Sequence, residues 1–309
     1  MSTKSIEKVY DLLKACTVCP RKCKVDRLKG GVGVCRAGLG LKVASIGPHF
    51  GEEPMISGSR GSGAIFFSNC NLACVYCQNY QISQEGKGEA ISPEELAEKM
   101  IALQAQGCHN INLVSPTHYG PQVIETLLLV KQKGLKIPVV YNSNGYESVE
   151  MLQMFEGLID IYLPDVKYAD DALAFQYSGI NGYVAANRAA ITEMYRQVRN
   201  LEMDNDGVAL KGMLVRHLVL PEDVAGTGRS LEFLASVSKD IWLSLMSQYH
   251  PRYKAAQYGS LKRKLTPEEY KRALDAAIKL GFENILGQEM ESSDQYLPDF
   301  EKANPFESN

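Results

Sequence analysis

The 309-residue chain lacks long apolar runs, blocks of like charge and a scattered cysteine framework, and each absence narrows what it can do. No stretch approaches the roughly 20 consecutive apolar residues that a membrane span requires, so no membrane role is expected. The opening segment, residues 1–8, has no apolar centre of the kind a secretory signal carries, and a cytoplasmic location is expected. Lys and Arg number 33 against 36 Asp and Glu, a net charge of −3 with no polybasic segment. That balance argues against nucleic acid as a partner. Seven of the eight cysteines fall into two tight groups, at 16–35 and 70–77. In a reducing cytoplasm such groups mean metal rather than disulfides.

The second group is short of one cysteine. Cys70-x₃-Cys74-x₂-Cys77 follows the apolar run Gly63-Ala64-Ile65-Phe66-Phe67. Three thiolates at this spacing can hold three irons of a [4Fe–4S] cube, whereas a ferredoxin supplies a thiolate to all four. With no fourth ligand nearby in sequence, one iron is left open to bind something else. A closed structural zinc site needs four ligands. Cys108, the nearest remaining cysteine, precedes a different strand and reads as a buried, inert thiol.

From residue 63 onward, strand-like runs alternate with helical periodicity. The strand candidates are 63–68, 111–115, 137–142, 158–163, 212–219 and 240–247, with a short seventh at 282–286. Ser92-Pro93-Glu94-Glu95 and Thr266-Pro267-Glu268-Glu269 both read as helix starts, with an N-cap, a proline in the first turn and a capping-box glutamate. Leu96, Met100 and Leu103 form one apolar stripe, and Gly107 and Gly281 are stop signals. Alternating β and α implies parallel strands with right-handed crossovers. The expected fold is α/β, a partial (β/α)₆ barrel over residues 61–290. A small N-terminal cysteine-rich metal-binding module and lead-in precede it (1–60), and a tail follows (291–309). In such barrels chemistry gathers at the C-terminal ends of strands. That rule selects the 70–77 loop, Ser115-Pro116-Thr117-His118, Asn142-Ser143-Asn144-Gly145, Asp165-Val166-Lys167, Pro221-Glu222-Asp223 and Gln248-Tyr249-His250.

Cys16-x₂-Cys19-x₃-Cys23-x₁₁-Cys35 lies before the barrel, among Gly30, Gly31, Gly33, Gly38 and Gly40. Four sulfurs within 20 residues can close a tetrahedral zinc site or carry a second [4Fe–4S] cluster, and the spacing does not separate the two. A module this small cannot bury a core of its own, so the metal would supply most of its folding energy and a structural role is the default. Arg21, Lys22, Lys24, Arg27 and Lys29 read as a solvated face, with a docking patch for an acidic electron donor as the alternative.

These residues carry a family resemblance. The chain resembles the PflX-type radical S-adenosylmethionine (SAM) proteins, relatives of the pyruvate formate-lyase activating enzymes, over roughly residues 15–290. The likeness rests on the N-terminal Cys-x₂-Cys-Pro-Arg-x-Cys run, on Cys70-Asn-Leu-Ala-Cys74-Val-Tyr-Cys77, and on Asn112–His118, Val140–Tyr146, Asp160–Tyr168 and Val215–Pro221. It implies that Cys70, Cys74 and Cys77 hold a [4Fe–4S] cluster whose open iron takes the amine and carboxylate of SAM. Tyr76 sits where an aromatic lies near the adenine. Asp165 and Lys167 match an Asp-x-Lys pair directed at SAM, Arg216 matches an arginine on a later strand, and His250 matches a Pro-Tyr-His segment. The activases' Gly-Gly-Glu stretch is replaced here by Ser115-Pro116-Thr117-His118. The carbonyls of 115–117 and the Thr117 hydroxyl are the expected substitutes, and His118 and Asn144 are expected beside the ligand from the strand-end rule.

The resemblance implies reductive cleavage of SAM to a 5′-deoxyadenosyl radical, with a flavodoxin- or ferredoxin-like electron donor. An activase that takes a glycine α-hydrogen from a glycyl-radical partner protein is the first expectation. Radical chemistry on a small molecule or another modification target is the second. A two-cluster electron carrier without catalysis is the third, and the open iron speaks against it.

Overall fold

A computed structural model of the chain describes residues 3–295, 297–302 and 304–306. Its strands are β1 (Leu41–His49), β2 (Ser62–Phe67), β3 (Glu89–Ile91), β4 (Ile111–Val114), β5 (Val139–Ser143), β6 (Ile161–Pro164), β7 (Glu202–Met203), β8 (Ala209–Leu218), β9 (Trp242–Met246) and β10 (Ile285–Gly287). They form one sheet in the order β10-β9-β8-β6-β5-β4-β2-β1-β3, with β7 added beside β8. Every neighbour pair from β2 to β10 along that path is parallel. Helices such as Pro93–Ala105, Gly120–Gln132, Thr227–Val237 and Pro267–Leu280 make the crossovers. The path ends, β10 and β3, do not pair, so the barrel is partial among the described residues.

Strand alternation sorts the side chains into two populations. Ile65, Leu113, Tyr141, Tyr162, Val215 and Leu245 face outward into the main core, where they meet Leu96, Met100, Val123 and Leu127 of the crossover helices. Val140, Ile161, Leu163 and Leu214 face inward and pack on Met55 and Ile56. The short helix Pro54–Ser57 carrying those two residues fills the lower barrel interior, and Asn110 ties it down by donating to the Ile56 carbonyl at 2.7 Å. Burying each of these side chains contributes about 1.5–3 kcal/mol. The same segment carries Glu52 into the barrel.

Both capping boxes form as their sequences imply. Ser92 pairs with Glu95, Thr266 with Glu269, and Gly281 ends its helix in the left-handed conformation. The strands fall within about three residues of the expected runs. Three strands, β1, β3 and the two-residue β7, lie where no strand was read. β1 runs antiparallel to β2 with a register irregularity between Val43 and Ser45, and its half-buried, interrupted pattern lacks clean alternation. β3 is three residues long and mostly exposed. No helix among the described residues is long and apolar enough to cross a membrane.

Candidate active site

The 70–77 loop begins at a turn that Asn69 makes with φ +70°, a conformation Asn tolerates better than most residues. Each of its thiols has a hydrogen-bonding group beside its sulfur. Cys70 Sγ accepts from the Leu72 amide at 3.4 Å and the Asn144 amide at 3.5 Å. Cys74 Sγ accepts from the Ser178 hydroxyl at 2.9 Å, and Cys77 Sγ lies 3.1 Å from the Ser83 hydroxyl. Burial, reinforced by the neighbouring Cys74, pushes the Cys70 thiol up to about 12 and that of Cys77 up to about 11. Such thiols stay protonated near neutrality unless a metal displaces the proton.

Donors aimed at sulfur fit thiolates that ligate iron. Among the described residues no three His, Cys, Asp or Glu converge on a point that one ion would occupy. A cube does not need such a point, because it takes each sulfur on a different iron. The three thiols of one loop, each with a polar group beside its sulfur, are the residues that would hold such a cluster.

The loop opens onto a cavity of about 1490 Å³ at the C-terminal ends of the strands. Opposite the cysteines runs a chain of charges. Lys167 Nζ lies 2.6 Å from Asp165 Oδ2, and Arg216 Nε lies 2.9 Å from Asp165 Oδ1. Arg216 Nη1 reaches Glu52 Oε2 at 3.1 Å, while Nη2 donates to Asn142 Oδ1 at 2.6 Å. Glu52 Oε1 accepts from the amides of Asn112 and Asn142 at 3.1 and 3.2 Å. Burial alone would raise Asp165, but the Arg216 and Lys167 cations outweigh it and hold the carboxyl below its usual range. Burial raises Glu52 and Glu53, against the pull of Arg216. The strand-to-strand register explains the convergence. Alternation turns Asn112, Asn142, Arg216 and Ser244 to the inward face of the sheet.

Gly145 holds two of these elements together. Its φ is +77°, and a Cβ there would lie 2.1 Å from the Asp165 carbonyl and 2.2 Å from Asn187 Nδ2. This close approach sets Asn144 beside Cys70 and Asp165 beside the cavity.

Of the residues selected from sequence, Cys70, Cys74, Cys77, Tyr76, Ser115, Asn144, Asp165, Lys167, Arg216 and His250 all line this cavity. Tyr76 hydrogen-bonds Tyr168 at 2.7 Å, Tyr168 bonds Ser178 at 2.7 Å, and Ser178 donates to Cys74, forming a hydroxyl chain that ends on sulfur. His250 sits at the rim, with Nδ1 3.1 Å from the Ser293 carbonyl.

Thr117 and His118 are not among the lining residues. Ser115 turns left-handed (φ +58°) and leads the chain into a 3₁₀ turn at Thr117–Tyr119 that carries both away from the opening. The Thr117 hydroxyl donates to Glu147. The His118 ring lies 2.8 Å from the Ser68 carbonyl, and burial lowers its pKa to about 4.

Sequence patterns did not select Glu52, Glu147 or Ser178. Glu52 precedes β2, so the strand-end rule passes over it. Glu147 is enclosed by the hydroxyls of Thr117, Ser143 and Tyr141, and burial raises it to about 7.

Residues 64–223 match the Radical SAM superfamily profile. An uncharacterized protein of Methanocaldococcus jannaschii is 30% identical over 290 residues, covering 91% of this chain and 79% of the relative. A pyruvate formate-lyase-activating enzyme of Clostridium pasteurianum is 23% identical over 194 residues, covering 60% of this chain and 73% of that enzyme. Two solved structures share the fold. HydG, a maturase of the [FeFe]-hydrogenase, has a TM-score of 0.51 at 12% identity, covering 78% of this chain and 56% of that one. Methylornithine synthase has a TM-score of 0.50 at 17% identity, covering 73% and 63%. The chain spans less than two thirds of the length of either solved structure. The profile match takes in more than half of the chain and includes Cys70, Cys74 and Cys77, and the protein belongs to the radical SAM superfamily.

Proposed function

We propose that the protein cleaves SAM reductively at the Cys70/Cys74/Cys77 site and directs the resulting 5′-deoxyadenosyl radical at a substrate in the cavity. The observation that carries this reading is the placement of three hydrogen-bonded thiols and the Asp165–Lys167 pair on the wall of one cavity. A [4Fe–4S] cluster bound there would supply the electron that splits SAM.

The chain's own residues do the rest. Asp165 would hold the methionyl amine of SAM and Lys167 its carboxylate, since the two charges now paired with each other line the cavity. Arg216 keeps Asp165 ionised and oriented, and Glu52 and Asn142 hold Arg216 in turn. Tyr76, fixed by Tyr168, offers a ring to the adenine. Asn144 orients Cys70, and Ser115 and His250 bound the space left for the ligand.

The resemblance to PflX-type proteins and the similarity to an activating enzyme support an activase that acts on a glycyl-radical partner. One observation favours a small-molecule substrate instead. The C-terminal segment lies along the cavity wall, with Gln81 Nε2 donating to Asp299 at 3.0 Å and the Phe300 amide donating to Gln81 at 2.8 Å. Phe300 and Phe306 pack there against Phe66, and Phe306 against His49. A segment in this position narrows the way in for a partner's loop.

The test is direct. Anaerobically reconstituted protein reduced with dithionite should convert SAM to 5′-deoxyadenosine and methionine, and Cys74→Ala should abolish the conversion. Cleavage by that variant at the wild-type rate refutes the assignment.

A further inference from the structure

We propose that Cys16, Cys19, Cys23 and Cys35 hold a second iron–sulfur cluster. In this role it relays single electrons to the Cys70/Cys74/Cys77 site from an acidic donor protein of the flavodoxin or ferredoxin class. The relay rests on the SAM-cleaving function proposed above, whereas the second cluster does not.

Placement is the first argument. Arg21, between Cys19 and Cys23, donates to the carbonyl of Asn71, which follows Cys70. It also donates to the Gly179 carbonyl at 2.8 Å, and Gly179 follows the Ser178 that bonds Cys74. Arg36, next to Cys35, donates to the Ser83 carbonyl at 2.8 Å, and the Ser83 hydroxyl touches Cys77. Each barrel cysteine is thus one residue, or one hydrogen-bonded serine, from an arginine of the N-terminal module. A purely structural metal could sit anywhere on the barrel surface. This module is instead hydrogen-bonded to the backbone at Asn71, Gly179 and Ser83, beside the three cysteines or the serines that touch them.

Charge is the second argument. Arg27 is 1% exposed and donates to the carbonyls of Gly38 and His118, the latter at 2.7 Å. No carboxylate pairs with it among the described residues, and its Nη1 lies 4.0 Å from Cys16 Sγ. A buried guanidinium needs an anion nearby. Four thiolates on a metal centre carry a net negative charge and supply one.

The backbone is the third. Lys22, Lys24 and Arg36, each adjacent to a cysteine, have φ of +44°, +58° and +59°. Left-handed geometry costs about 1–2 kcal/mol for each such residue, and persists where the surroundings over-determine it. Gly33 allows the close approach of Cys23, since a Cβ there would lie 3.0 Å from the Cys23 sulfur. Cys16, Cys19 and Cys35 are buried and Cys23 is half-buried, and a cube, which takes each sulfur on a different iron, needs no single point at which the four converge.

The outer face fits electron entry. Cys23 is the partly exposed member of the four, and Lys22, Lys24 and Lys29 are exposed around it. Leu28, Val32 and Val34 are also exposed, at 38, 57 and 59%. A basic, apolar surface complements an acidic docking partner.

In each cycle the donor loses one electron and the N-terminal cluster passes from its 2+ to its 1+ core. It returns to 2+ as the barrel cluster takes the electron. That electron then goes to the sulfonium of SAM, whose S–C5′ bond breaks to give methionine and the 5′-deoxyadenosyl radical.

Metal analysis of the reconstituted wild-type protein should find roughly eight irons per chain and no stoichiometric zinc. The triple variant C70A/C74A/C77A should retain roughly four irons. The electron paramagnetic resonance spectrum of fully reduced wild type should be broadened relative to the sum of the spectra of that variant and Cys19→Ala/Cys23→Ala. The exposed-face variant K22E/K24E/K29E should keep dithionite-driven SAM cleavage and lose about tenfold with a reduced acidic flavodoxin. Four irons plus one zinc, with SAM cleavage intact, overturns the second cluster and leaves the proposed function standing. Unbroadened spectra, or a lysine variant equally active with both reductants, overturns the relay. Eight irons without any SAM cleavage overturns the relay through the failure of the proposed function. The iron count and the lysine variant do not depend on Cys19→Ala/Cys23→Ala folding.

Discussion

Replacing Asp165 with Asn tests whether the charge chain is part of the fold as well as of the site. Asp165 is the shared anion between Lys167 at 2.6 Å and Arg216 at 2.9 Å, and its side chain is 12% exposed. Removing one partner of a buried ion pair costs about 3–5 kcal/mol, because the other charge is left uncompensated. Arg216 retains Glu52 and Asn142, so the loss falls mainly on Lys167, for which Asp165 is the carboxylate in contact among the described residues. About 3 kcal/mol is therefore expected, or on the order of 5–10 °C in melting temperature for a domain of this size. Lys167→Met should cost less, since it removes a desolvated cation and leaves Asp165 bonded to Arg216. The double variant D165N/K167M should then be more stable than D165N alone, a coupling that a double-mutant cycle reads.

Differential scanning calorimetry of the cluster-loaded protein, without and with SAM, separates the roles. Without SAM it reports the fold. With SAM, D165N and K167M should each show binding weakened about ten- to hundredfold, the worth of a charge-assisted hydrogen bond. The pH sign follows from a lowered folded-state pKa. The stabilisation from Asp165 is present above 3.8 and is lost as pH falls through the folded-state value. A D165N protein that melts within about 1 °C of wild type, or a double variant worse than either single one, refutes the pairing described here.

Two further outcomes follow from buried groups near the site. Glu147, raised by burial to about 7 from 4.5, keeps its proton in the folded state where the unfolded chain has lost it. Its stabilisation is complete below pH 4.5 and is lost as pH rises through about 7. Wild type should therefore lose roughly 3 kcal/mol across that window, and Glu147→Gln should flatten the profile in denaturant melts. An unchanged slope in the variant would refute the assignment. Ser178→Ala removes the hydroxyl that donates to Cys74 Sγ. Losing a donor to cluster sulfur disfavours the reduced state, so the barrel cluster's midpoint potential should fall by about 40 mV per kcal/mol lost. A potentiometric titration that finds it unchanged or higher would show that the serine does not act on the sulfur.

Much of the architecture is local in origin and was legible in the chain. The two capping boxes, the stop at Gly281 and the alternation of apolar runs need only neighbours in sequence, and they lead to parallel strands and crossovers. The cysteine spacing is likewise local, because one loop supplies all three thiols. The strand-end rule then brought Asn144, Asp165, Lys167 and His250 to the same opening as that loop.

Contacts between distant segments were not legible. Glu52 enters the barrel because Met55 and Ile56 bury themselves in its lower interior, and no pattern within residues 50–57 says which cavity they fill. Thr117 and His118 satisfy the strand-end rule, yet the left-handed Ser115 turns them away from the opening, toward Glu147 and Ser68. The sequence by itself determined the chemistry available: which residues are thiols, where strands and helices start, and which side chains share a strand face. Only the tertiary structure decided which charges meet, which hydroxyls reach sulfur, and that Arg21 and Arg36 bind the N-terminal module against the barrel loop. Those outcomes depend on long-range packing, where one left-handed residue or one buried methionine redirects a side chain by several ångströms, and periodicity carries no record of it.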